Sequence, residues 1–114
     1  MFDVSTISKR YFEVKIEVED EDGKKYSADL EVEPPKLKAL KKLTSIAKTV
    51  SDKKADDEDD AMDDLHDAMR IILNKNKAKQ KVSNALIENL DTDQMEGILA
   101  SFFGWLSSER KNPN

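Results

Sequence analysis

The sequence predicts an α+β fold, an N-terminal two-stranded antiparallel hairpin packed on a small bundle of about four helices. Three observations predict it. Residues 12–18 and 26–32 alternate apolar and polar side chains with a period of two, the pattern of half-buried strands. From Pro35 onward the apolar residues recur at helical spacing. The closing stretch Leu90–Asn114 holds the only Trp and two of the four Phe, so the chain's end carries much of its aromatic surface.

With 114 residues the chain is read as one domain, 1–114. Residues 1–10 read as a loose arm, 11–33 as the hairpin, and 35–110 as the helical part with a charged linker near 51–60. A net charge of −5 argues against nonspecific nucleic-acid binding. The absence of cysteine excludes disulfides and thiolate metal sites and fits a reducing cytoplasm. No apolar run approaches the roughly 20 residues of a membrane span, and the N-terminus lacks a secretory apolar core, so no membrane partner is expected.

The hairpin register follows from parity. Phe12, Val14, Ile16 and Val18 on one side and Tyr26, Ala28, Leu30 and Val32 on the other all occupy even positions. Opposed residues of an antiparallel pair share a face, so a two-residue loop would set Val18 against Ser27 on conflicting faces. A three-residue loop, Glu21-Asp22-Gly23, resolves this, with Gly23 left-handed. Val18 then faces Tyr26 and Phe12 faces Val32. On the outer side Glu19 meets Lys25, Lys15 meets Asp29, and Glu13 meets Glu31 unfavourably. Two strands leave two open edges, which invite a strand from another chain.

Pro34-Pro35 ends the hairpin, and a helix is expected from about Pro35 to Val50, with Leu37, Leu40, Leu43, Ala47 and Val50 inward. Its lysines, with no arginine or aromatics among them, read as a solvated face or the neighbour of an acidic one. A second helix follows Ser51–Ala61, with a stripe of Met62, Leu65, Ala68 (or Met69) and Ile72 and a stop at Asn74–Asn76. The acids starting at Asp56 do not form a calcium loop, because Ala61 and Asp67 stand where Gly and Glu are required. His66, the only histidine, has no second His or Cys for a zinc site. A third helix is expected from about Lys77 to Asn89, with Ala78, Val82, Ala85, Leu86 and Leu90 inward. Lys75, Lys77, Lys79 and Lys81 are placed to answer the Asp56–Asp64 acids across the bundle.

In the last helix Asp91 or Thr92 caps the start, with Gln94 reaching back, and Met95, Ile98, Leu99, Phe102 and Leu106 form the buried stripe. From Gly97 to Ser108 no residue is charged. The face opposite the stripe is Gly97, Ala100, Ser101, Gly104 and Ser108. Two interior glycines cost roughly 1 kcal/mol each relative to Ala, which close approach of another helix would offset. The expectation is a helix sandwiched between its own core and a partner or second copy, with Phe103 and Trp105 widening the apolar surface. No Gly-rich phosphate loop, Ser/His/Asp spacing or Cys/His pair is present, so no enzyme, cofactor or metal is expected.

A hairpin, a charged middle and the terminus NLDTDQMEGILASFFGWLSS followed by basic residues and KNPN resemble the tail-assembly chaperones of long-tailed (siphovirus-type) phages and prophages of Gram-positive bacteria. The resemblance implies a noncatalytic protein of the host bacterial cytoplasm. It would self-associate and shield the apolar helices of the tape-measure protein before tail-tube polymerisation. It also implies a second, frameshift-extended form, and Arg110-Lys111-Asn112 can be encoded AGA AAA AAC, which contains the slippery run A AAA AAC. The alternative class is an acidic regulatory protein or nucleic-acid mimic acting through Asp56–Asp64.

Overall fold

The computed structural model describes residues 10–51 and 58–111, of which 58–60 and 108–111 are described by their backbone alone. Two strands, β1 (Phe12–Glu19) and β2 (Lys25–Val32), precede four helices: α1 (Leu37–Ser51), α2 (Glu58–Asn74), α3 (Asn84–Glu88) and α4 (Thr92–Lys111). The arm expected at 1–10 and the linker near 51–60 fall largely outside the described residues.

The hairpin has the register that parity requires: Val18 pairs with Tyr26, Ile16 with Ala28, Val14 with Leu30 and Phe12 with Val32. Gly23 has φ +85°, which a side chain would strain. Asp20 ties the loop together. Its carbonyl accepts from the Gly23 N–H at 3.0 Å, and its Oδ1 accepts from the N–H groups of Asp22 and Lys24, both at 2.9 Å.

The even-numbered face of the hairpin is buried on the helices, with Leu30 and Val32 deepest. At the centre stands α2, which packs against α1, α3, α4 and β2. Leu65, Ala68, Met69 and Leu73 of α2 are fully buried, so both candidates for the third stripe position, Ala68 and Met69, lie in the core. Full burial of a side chain of leucine size contributes about 1.5–3 kcal/mol, so Leu65, Met69 and Leu73 anchor this helix in the core.

Three expectations are corrected. First, α1 spans Leu37–Ser51, close to the expected range, but its buried residues are Leu43, Ile46 and Val50. Leu37 is 67% exposed, while Leu40 and Ala47 are only half-buried. The core-facing stripe is therefore rotated toward Ile46.

Second, the third helix is short. Residues 77–83 are not helical, and α3 is five residues long. Two asparagine side chains hold this stretch in a loop instead. Asn74 Oδ1 accepts from the Val82 N–H at 2.7 Å. Asn76 Oδ1 accepts from the Gln80 N–H at 2.9 Å, and its Nδ2 donates to the carbonyls of Gln80 and Leu73. Side chains that bond nearby backbone in this way compete directly with the helical ladder. Ser83 then caps α3, its hydroxyl accepting from the Leu86 N–H at 3.1 Å. Val82, Leu86 and Leu90 are buried as expected, Ala85 is half-buried and Ala78 is exposed.

Third, one edge of the hairpin is not open. Asn76 forms an antiparallel bridge with Val32. The Lys77 N–H donates to the Glu31 carbonyl at 2.9 Å, and the Glu33 N–H to that of Lys75 at 2.8 Å. A three-residue stretch thus covers the end of the β2 edge. Lys77 reaches the ring of Tyr11, its Nζ 5.4 Å from the centroid.

Candidate functional site

The capping box that opens α4 forms as the sequence requires. Asp91 Oδ1 accepts from the Gln94 N–H at 2.7 Å, and Gln94 Oε1 accepts from the Asp91 N–H at 2.8 Å. This fixes the helix phase: Met95, Leu99, Phe102 and Leu106 turn into the core, whereas Ile98 is half-buried.

That phase presents the small residues outward. Gly97, Ala100, Ser101 and Gly104 are exposed, and a Cβ built on Gly97 or Gly104 would meet nothing within 4 Å. Within one chain, no helix closes on this face among the described residues. The Ser108 side chain lies outside them.

The two flanking aromatics differ in role. Phe103 is half-buried and meets Phe102 edge-on at 5.8 Å between centroids. Trp105 is held between elements: its ring lies 5.7 Å from both Phe12 and Phe102, and the Arg10 guanidinium carbon sits 4.9 Å from its centroid. Arg10 Nη1 is buried without a hydrogen-bond partner; charge against the π face is its compensation. Trp105 therefore joins α4 to the start of β1 and offers only part of its surface outward. Parity and helical periodicity do not reveal this link, because Arg10 precedes the strand pattern.

A groove of about 520 Å³ runs between the free edge of β1 and this side of α4. Residues 12–17 of β1 form one wall, and Gln94, Gly97, Ile98 and Ser101 the other, with Leu90 at its end. Sequence reasoning found the small residues but not that two of them, Gly97 and Ser101, border a strand edge.

Other candidates stay apart. Among the described residues no group of three or more His, Asp or Glu could hold a metal ion, and no helix is long and apolar enough to cross a membrane. Arg70 pairs with Asp67 at 3.1 Å and donates to Asn84 Oδ1 at 3.3 Å. Of the Asp56–Asp64 acids, Asp63 is exposed and Asp64 half-buried; the other side chains lie outside the described residues. No protein-family model, curated protein or solved structure matches the chain.

Proposed function

We propose that the protein is a noncatalytic tail-assembly chaperone of a siphovirus-type phage or prophage, acting in the bacterial cytoplasm. It shields the apolar helices of a tape-measure protein until tail-tube subunits polymerise around them, and it self-associates. A frameshift-extended form of the same chain would take part. The observation that carries the reading is the outward, uncharged face of α4 at Gly97, Ala100, Ser101 and Gly104. A solvated helix back ordinarily carries Lys and Glu, whereas glycine and serine let a second helix backbone approach closely. The half-exposed Phe103 adds an aromatic contact at the border of that face.

The test is co-expression with a long helix-rich tape-measure protein of a siphovirus-type phage. Trp105 is a poor target, since it is packed on Phe12 and Phe102. Ser101→Lys combined with Gly104→Lys leaves the core untouched and puts two charges on the open face. Wild type should co-purify with the partner and keep it soluble, and the double variant should lose it with its circular dichroism unchanged. Co-purification that survives the double variant places the binding surface elsewhere.

A further inference from the structure

We infer that the free edge of β1 is a homodimer interface, in which a second copy of the chain adds its own β1 antiparallel across a two-fold axis at Val14. The proposal gives self-association a definite surface and rests on strand geometry, not on the chaperone reading.

The backbone groups of β1 that face outward can be identified. The Asp20 N–H bonds Lys24 within the hairpin, and Glu31 and Glu33 use their backbone groups on Lys75 and Lys77 at the opposite edge. Bonding direction alternates along an antiparallel pair, so in β1 the odd residues, Glu13, Lys15 and Glu17, aim N–H and C=O away from β2. Among the described residues no backbone bond reaches them. The edge is eight residues long and holds no proline, in contrast to the covered end of β2. Edges of this length are usually blunted or paired.

Charge selects the partner and the register. A two-fold pairing centred on Glu13, Lys15 or Glu17 sets that residue against its own copy. Centred on Ile16 it opposes Glu13 to Glu19 twice, and centred on Val18 it opposes Glu17 to Glu19 twice. Centred on Val14, each Lys15 meets the Glu13 of the other copy, Glu17 meets Tyr11, Phe12 meets Ile16, and no like charges are opposed. Apolar and polar faces stay in phase across the join. Glu13 also stands opposite Glu31 within its own hairpin, a like-charge pair that Lys15 of a second copy would relieve. Gly97 and Ser101 line the groove beside this edge, and a Cβ on Gly97 would meet open space, so α4 leaves room for the approach.

Sedimentation equilibrium of the full chain is the test, with Lys15→Glu, Glu13→Lys and the double swap. Wild type should dimerise. Each single variant should raise the dissociation constant by about tenfold or more, since two symmetric attractions become repulsions. The double swap should restore dimerisation. In amide exchange, Glu13, Lys15 and Glu17 should gain protection with concentration, while Val14 and Ile16, already bonded to β2, should not. A monomeric wild type, or a folded double swap that does not recover, overturns the proposal. Recovery by a Lys15/Glu17 swap instead overturns the register. A wild-type chain that dimerises but captures no tape-measure protein refutes only the chaperone reading.

Discussion

Asn76→Ala should be among the most damaging single substitutions in this protein, although Asn76 lies outside every regular element. The residue is 2% exposed and is the one buried polar residue among those described. Its side chain makes three hydrogen bonds, at 2.8, 2.7 and 2.9 Å, to the Leu73 carbonyl, the Gln80 carbonyl and the Gln80 N–H. Each contributes about 0.5–1.5 kcal/mol net, and removing one partner leaves the other to bear its desolvation. The sum is about 2–4 kcal/mol, a large part of the roughly 5–15 kcal/mol that holds a domain of this kind together. Asn76→Asp should be no better, because it sets a carboxylate oxygen against two carbonyls. Urea denaturation followed by circular dichroism measures the loss, and amide exchange at Lys77 and Glu33 should accelerate as the bridge to β2 loosens. A loss below about 1 kcal/mol for Asn76→Ala, with an unchanged denaturant slope, would refute the claim that this side chain holds the 76–80 loop.

Three further outcomes are expected. Gly97→Ala and Gly104→Ala, where a Cβ meets open space, should each stabilise the isolated chain by about 0.5–1 kcal/mol, raising the melting temperature by about 2–6 °C. If that face meets a helix in the tail complex, the same variants should weaken partner capture. Phe102→Ala removes a ring that is 1% exposed and touches Phe12, Phe103 and Trp105; equilibrium unfolding should register a loss of about 3–5 kcal/mol. Asp91→Ala opens the capping box and should cost about 0.5–2 kcal/mol, read as a lower urea midpoint.

The hairpin was legible to the residue because a period of two leaves no freedom: once both apolar sets fall on even positions, loop length and register follow. The capping box was equally legible, its two polar residues standing three apart before an apolar stripe. Residues 77–83 were not. Val82, Leu86 and Leu90 recur at a spacing that a helix would also produce, and periodicity is blind to which backbone groups a neighbouring side chain claims. The available signal was chemical, Asn74 and Asn76 flanking one lysine and Ser83 standing three residues before Leu86. The uncharged back of α4 was visible as composition. Its placement beside the β1 edge was not, since that is set by how α4 crosses the core.

The stacking of Arg10, Trp105 and Phe12 gives the molecule an internal gauge. Its single indole reads the junction between the start of β1 and α4. Fluorescence at that one position therefore reports whether the polypeptide has closed upon itself, without any added label. A chain without α4 would hold neither the emitter nor the clasp, so a shift in that emission requires α4 to be present and docked on the start of β1.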